Sequence, residues 1–435
     1  MNVQMIGIYH ILYHLGLLTL LPLFFLKMFR QQKYKAGFSQ RVGVVPAELV
    51  NAVKGKEVIW LHAVSVGEVQ AALPLINELV TRFPHYKYIV STTTNTGQNV
   101  ARERLTNKNI PVFYFPFDFF WAVDRVLNAI SPKMVLIMET EIWPAFLNAC
   151  CKRSIPIGII NGRLSNKSFR GYKKITFFLK PLLKEIKFVA AQSASDKHKF
   201  IKLGVKEENI FVTGNLKFDQ MPNDTPFTQS QLSDFNLLKD KQLLIAGSTH
   251  RGEEEILIRV YKALMTKHPD LTLLLAPRHP ERLPEVERLV AGARLTPVRR
   301  SLLSQKRGIN SNEVIILDTM GELARIYQFA TMVFIGKSLI PDGGGQNPLE
   351  PAAFGKPIMV GPNVINFKSI YRDLKEGEAI AEISDEKSLK ETTENFLSNP
   401  KARETLGNNA RRAVERNRGT AERTLKLLQS HLEIA

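Results

Sequence analysis

The chain has 435 residues, of which 44% are hydrophobic and 23% charged. That excludes a disordered chain, and at roughly 150 residues per domain it allows two to three domains with sizeable cores. Lys plus Arg (59) exceed Asp plus Glu (41) by a net +18, which favours anionic partners such as nucleic acid, phospholipid headgroups or a phosphorylated substrate. The two cysteines are neighbours, Cys150 and Cys151, so they make no disulfide framework and fit a reducing compartment.

From Met1 to Leu26 no residue is charged, apart from histidines taken as neutral, and Ile6–Leu26 is rich in Ile, Leu, Phe and Tyr. This length suits a helix across a ~30 Å hydrocarbon layer. His10, His14, Thr19 and Pro22 leave room for a tilted or interfacial helix. Lys27, Arg30, Lys33, Lys35 and Arg41 follow at once, and the positive-inside rule then places everything after them on the cytoplasmic side. A membrane anchor is therefore expected over residues 1–30, with a buried helix of a soluble protein as the alternative.

Apolar, β-rich runs then alternate with helical stretches. Strands are expected at Val58–His62, Tyr88–Ser91, Val112–Phe115, Met134–Met138 and Ile157–Asn161, with amphipathic helices such as Val69–Arg82 and Phe119–Ile130 between them. This alternation predicts a parallel sheet covered on both faces. The pattern fades over the polar, proline-containing Asp219–Lys239, which reads as a linker over residues 221–240. It restarts at Gln242–Ala246, Leu271–Ala276, Val314–Leu317 and Val333–Ile335, and ends in a basic helical stretch, Pro400–Leu432. The expected organisation is an anchor, a doubly wound domain over 31–220, the linker, and a second doubly wound domain over 241–435 that includes the last helix.

Ligands of open α/β sheets bind beyond the carboxyl ends of strands, so the residues just after these strands are the candidates. After the first strand comes Val64-Ser65-Val66-Gly67-Glu68. Gly67 permits a sharp turn, and Glu68 begins a helix whose dipole favours the ionised carboxylate, a state suited to a general base. The alternative is an ordinary helix-start glutamate. Glu139-Thr140-Glu141-Ile142-Trp143-Pro144 places two carboxylates after another strand, with Pro144 fit for a first helical turn. Here capping and catalysis are equally open. Lys217, in Gly214-Asn215-Leu216-Lys217-Phe218-Asp219, is either a residue of an interdomain cleft or a solvated lysine.

In the second half, Pro277-Arg278 follows an apolar strand, Met320-Gly321-Glu322 opens a helix, and Gly343-Gly344-Gly345-Gln346-Asn347-Pro348-Leu349-Glu350 leads glycines into a helix start. Free N–H groups at such a start suit an anion. Arg278 can offset phosphate charge, and Glu350 can accept hydrogen bonds from ribose hydroxyls. The sequence has no Walker A motif, G-x-G-x-x-G, H-E-x-x-H, C-x-x-C or D-x-D.

Taken together, Leu61–Glu68, Met138–Pro144, Asn161–Ser165, Val212–Asp219, Gly247–His250, Ala276–Arg282, Asp318–Leu323 and Asn347–Gly355 resemble the 3-deoxy-D-manno-octulosonic acid (Kdo) transferases along nearly the whole chain. The resemblance implies an α/β GT-B fold, with two Rossmann-like domains facing a cleft and an N-terminal membrane-attached helix. It implies an inverting, metal-independent transfer of Kdo from CMP-Kdo onto the lipid A precursor lipid IVA, in lipopolysaccharide biosynthesis at the cytoplasmic face of the inner membrane. No cofactor, metal or nucleic acid is implied; membrane lipids are.

Glu68 is then the proton acceptor, and Glu139 and Lys217 the transition-state stabilisers. Pro277, Arg278, Met320, Gly321, Glu322, Asn347, Pro348, Leu349 and Glu350 hold CMP. Two positions depart from the pattern: Gln346 precedes Asn-Pro where many relatives have histidine, and Lys337 stands where many have a second glycine. The alternatives are a membrane-associated transferase for another nucleotide sugar and a basic nucleic-acid-binding protein. No nucleic-acid motif supports the latter.

Overall fold

The computed structural model of the protein describes residues 37–219, 241–305 and 308–432. The expected anchor over 1–30 and linker over 221–240 lie outside them. Among the described residues no helix is long and apolar enough to cross a membrane. The chain forms two units, one made of residues 37–219 and 418–432, the other of 241–417.

The first unit is built on seven strands: β1 (Val58–His62), β2 (Lys87–Thr92), β3 (Val112–Tyr114), β4 (Met134–Met138), β5 (Ile157–Gly162), β6 (Phe188–Ala191) and β7 (Ile210–Val212). Their order is β3-β2-β1-β4-β5-β6-β7, all parallel. Side chains of a strand alternate between faces. Val58 and Trp60 of β1 enter one apolar cluster with Val135 and Ile137 of β4, while Ile59 and Leu61 enter another with Met134, Leu136 and Met138. Both faces are thus covered, and this is why these strands read as unbroken apolar runs.

The second unit repeats the plan with β8 (Gln242–Thr249), β9 (Leu271–Pro277), β10 (Thr296–Arg299), β11 (Glu313–Ile316), β12 (Met332–Ile335), β13 (Ile358–Val360) and β14 (Ala381–Glu382). The order is β10-β11-β9-β8-β12-β13-β14, again all parallel.

In each sheet the first strand lies inside. From β1 the chain winds outward through β2 and β3, then returns to lay β4 on the other side of β1; β8 is flanked by β9 and β12 in the same way. Successive connections leave in opposite directions at β1/β4 and at β8/β12. At such a switch point the flanking loops diverge and leave a crevice beyond the carboxyl ends. Four non-glycine residues with left-handed backbone lie at these ends: Glu139 (φ 54°), Asn161 (53°), Ser248 (56°) and Lys337 (57°).

The end of the chain departs from expectation. Pro400–Leu432 is two helices, Pro400–Asn417 and Thr420–Leu432, parted at Gly419 (φ 76°). The second belongs to the first unit, not to the second domain. Its Ala421, Leu425, Leu428 and Leu432 join the cluster containing Ala72 and Leu75 of the helix Val66–Arg82. The Asp219 carboxylate receives the N–H groups of Gly419 and Ala421 at its start. The apolar stripe of this helix finds its partner in the first unit, a pairing that local periodicity does not encode.

Candidate active site

The switch point of the first sheet gathers three carboxyl groups. The helix after β1 begins at Val66 with Ser65 as its N-cap, so Glu68 lies in the first turn rather than at the first residue. Gly67 lies inside the helix with no left-handed backbone, so it does not supply the turn expected of it. A β-carbon at Gly67 would meet nothing within 4 Å, so no close packing requires glycine there either.

Glu68 reaches back over the helix start: Val64 N–H donates to Oε2 at 2.9 Å, and the Ser65 hydroxyl donates to Oε1 at 3.0 Å. The helix-start role is therefore real. It does not keep the group ionised, as the helix dipole led us to expect. Burial, then the charge of Glu139, and more weakly that of Glu141, push the Glu68 carboxyl up to about 7, against the two hydrogen bonds that pull it down.

Glu139 follows β4, its N–H bonded to the Ile160 carbonyl. The Lys217 ammonium lies 3.9 Å from Glu139 Oε1, and both side chains are mostly buried. Lys217 sits on the short turn Leu216–Asp219, which is held from both sides. Asn161 Oδ1 receives the N–H of Leu216, and Asp219 is tied to the last helix. The Thr140 hydroxyl donates to the Arg163 carbonyl, which fixes the Glu139 turn to the segment after β5. The structure thus brings Glu68 and Glu139 to one switch point and pairs Glu139 with Lys217.

Glu141, quoted above only as part of a motif, is a further member of the group. Burial, with Glu139 adding to it, pushes its carboxyl up to about 7. The doubled Glu-x-Glu was the available signal. What it does not carry is that Glu68, from another strand, comes close enough to couple with both.

In the second unit the nucleotide candidates fall after β9, β11 and β12. Pro277 ends β9, and Arg278 follows, exposed, its N–H donating to the Thr249 carbonyl. Arg278 lies close enough to Glu350 to favour its ionised form, against the burial that raises Glu350. Asn347 organises the start of the helix Leu349–Ala353: its Oδ1 accepts the Leu349 N–H, and its amide donates to Glu350 Oε1. Pro348 stands just before this helix, one position earlier than a first-turn proline.

Met320 is 80% exposed and Gly321 is left-handed (φ 79°), so this loop presents an apolar side chain and main chain outward. Glu322 is buried and engaged within the protein, accepting from the Thr319 hydroxyl at 2.6 Å and lying 3.4 Å from the Arg300 guanidinium. Glu253, not singled out above, is fully buried. It receives the backbone N–H groups of His250 and Lys337 on Oε2 and of Ser338 and Leu339 on Oε1. It pins the loop that precedes the glycine run. Its sequence signal, three glutamates after a glycine, is that of any helix start.

Two parallel α/β units with candidate groups at both switch points define the class, and comparison with known proteins agrees. Residues 240–413 match the glycosyl transferases group 1 family, and the chain is a glycosyltransferase with GT-B-like domains. Residues 36–220 match the model described as 3-Deoxy-D-manno-octulosonic-acid transferase (kdotransferase). The chain is 36% identical to the 3-deoxy-D-manno-octulosonic acid transferase of Haemophilus influenzae, across 86% of this chain and 87% of that one. It is 27% identical to that of Chlamydia trachomatis serovar A, across 94% of each. The protein belongs to the 3-deoxy-D-manno-octulosonic acid transferase family. A putative UDP-N-acetylglucosamine 2-epimerase from Listeria monocytogenes shares the fold alone, with 16% identity and a TM-score of 0.58 over 88% of this chain and 98% of that one.

Proposed function

We propose that this protein transfers Kdo from CMP-Kdo to a hydroxyl of the lipid A precursor lipid IVA, with inversion and without a metal. The observation that carries the reading is Glu68, a half-buried carboxyl that burial and the nearby Glu139 push up to about 7 at a switch point. A base poised near the working pH is both ionised in useful amount and basic enough to take a hydroxyl proton.

In this reading the acceptor hydroxyl gives its proton to Glu68. Its oxygen forms the new bond to the anomeric carbon of Kdo as the bond to the CMP oxygen breaks on the opposite face. Lys217 and Glu139 stabilise the charge that develops, the lysine held in place by its pairing. Arg278 and the helix start at Asn347–Glu350 take the phosphate of the departing CMP, and the exposed Met320-Gly321 loop takes the base.

Incubation with CMP-Kdo and lipid IVA, with the product mass measured, tests this directly. Addition of Kdo mass is expected. Transfer from a UDP-sugar but not from CMP-Kdo would replace the reading by another nucleotide sugar. The same assay in excess EDTA is expected to run at full rate, and a loss that Mg²⁺ restores would show a metal step.

We further propose that the catalytic units work at the cytoplasmic face of the inner membrane. Besides the uncharged N-terminal run, the first unit exposes Ile175 and Phe177, the latter 71% exposed, beside Lys167, Arg170, Lys173, Lys174 and Lys180. An apolar tip within a basic field suits an anionic leaflet, each cation near the surface adding ~1 kcal/mol. The full-length protein is expected to sediment with membranes and to stay there in high salt, because screening does not weaken apolar burial. Complete release by salt would leave only a peripheral attachment.

A further inference from the structure

The switch point of the second sheet carries a cation that the roles above do not use. His250 follows β8, and Lys337 follows β12. Their backbone N–H groups converge on one oxygen, Glu253 Oε2, at 3.0 and 2.7 Å. Two basic side chains therefore start side by side at the mouth of the crevice. The His250 ring meets the His279 ring edge to face, centroids 5.5 Å apart. His250 Nδ1 lies 3.2 Å from the Ser248 carbonyl oxygen, which can only accept, so the hydrogen is on Nδ1 and Nε2 is an acceptor. Burial, then the carbonyl's opposing pull and the charge of Lys337, leave this imidazole below its ordinary value, hence neutral at pH 7. The positive charge between the two residues belongs to Lys337, which forms no ion pair among the described residues.

Nothing in the backbone calls for a lysine at this position. Its φ of 57° is one that glycine adopts freely and a residue with a β-carbon adopts at a cost. The contacts that the fold needs there come from the main chain: the N–H to Glu253, and the carbonyl that accepts from Gly344 and Gly345 at 2.7 and 2.8 Å. Any residue supplies those. A lysine kept at a strained position beyond the carboxyl end of β12, with no ion pair among the described residues, suggests a ligand as its partner.

We infer that Lys337 binds the carboxylate of the donor sugar. This rests on the Kdo transferase reading. An octulosonic acid joined to a nucleotide through its anomeric carbon carries two anions close together, the phosphate on that carbon and the carboxylate on the carbon beside it. A neutral sugar nucleotide carries only the phosphate. Arg278 and the Asn347 helix start serve the phosphate, so the acid sugar needs one more cation nearby. Lys337 meets this need: its carbonyl holds the glycine run that leads to Asn347, and it is joined through Glu253 to His250, the first residue beyond β8. The neutral His250 Nε2 is left to accept from a sugar hydroxyl.

The test compares Lys337→Gly, Lys337→Gln and Lys337→Arg with the wild type. Glycine suits the left-handed backbone, so the glycine variant is expected to melt at or above the wild-type temperature. Glutamine removes the charge while keeping the β-carbon. For both, the KM for CMP-Kdo is expected to rise ~10-fold or more, the scale of a lost charge-assisted hydrogen bond. The dissociation constant of CMP alone, which lacks the carboxylate, should stay within about twofold, and the arginine variant should keep most of the donor affinity. An unchanged KM in the glycine and glutamine variants overturns the inference. So does a parallel loss of CMP affinity, which would mean that Lys337 serves the nucleotide or shapes the loop. Wild-type protein that neither binds CMP nor transfers Kdo overturns the functional reading, and this inference with it.

Discussion

Glu68→Gln is expected to slow transfer ~10²–10⁴-fold in single-turnover measurements while leaving CMP affinity unchanged, the range typical of losing a general base. The amide keeps the local geometry: its oxygen still accepts from Val64 N–H, and its NH₂ faces the Ser65 hydroxyl, which can also accept. The pH profile sharpens the test. The base acts only when ionised, so the wild-type rate should rise with pH through about 7 and then level off. Glu139→Gln removes the charge that ranks second in raising Glu68, so the limb should move to lower pH even if the rate falls.

Stability moves the other way. A folded-state value raised from 4.5 means that the favourable contribution of Glu68 is complete below its unfolded value and is lost as pH rises through 7. At pH 8 the Gln variant should therefore melt no lower than the wild type. Near-normal turnover in Glu68→Gln would leave only the helix-start role, and the base would have to be sought at Glu139 or Glu141.

Glu253→Gln is expected to be the most destabilising single substitution in the second unit. Each carboxylate oxygen receives two backbone N–H groups. An amide can present an oxygen to one pair only, and its NH₂ then faces the other pair, donor against donor. Two stranded buried donors cost ~1–3 kcal/mol each. A loss of about 3 kcal/mol lowers the melting temperature of a domain of this size by roughly 6–12 °C. Donor affinity should fall with it, because the same loop leads into the glycine run. A variant that melts like the wild type would show that the loop does not depend on this carboxylate.

Strands buried on both faces were legible. Val58–His62 and Met134–Met138 have the expected bounds, and Lys87–Thr92 extends its expected run by one residue at each end. Such strands announce themselves as apolar runs whatever lies around them. Phe188–Ala191, Ile210–Val212, Thr296–Arg299, Ile358–Val360 and Ala381–Glu382 went unread. They are two to four residues long, and several are partly exposed, so their register comes from a neighbour already in place rather than from their own pattern.

The site divides in the same way. Glu68, Glu139 and Lys217 could be picked out because each follows a strand or precedes the break in the pattern. The near-neutral titration of Glu68 could not, because it depends on carboxyl groups delivered by β4 and on burial that only the assembled sheet creates. Glu253 was invisible for a related reason: all its partners are main-chain groups, and three of the four follow β12.

The helix Thr420–Leu432 has a consequence for how the protein is made. The seven strands of the first sheet leave the ribosome early, yet the helix that supplies Ala421, Leu425, Leu428 and Leu432 to its core is translated only after the entire second unit. The unit begun first is therefore finished last, against the usual order in which domains mature as they emerge. Until then the groove along the helix Val66–Arg82 stays uncovered on the nascent chain, and Asp219 waits for the two N–H groups it will hold. The turn bearing Lys217 gains its hold on Asp219 only when that helix docks, so this part of the site depends on a segment made after both sheets.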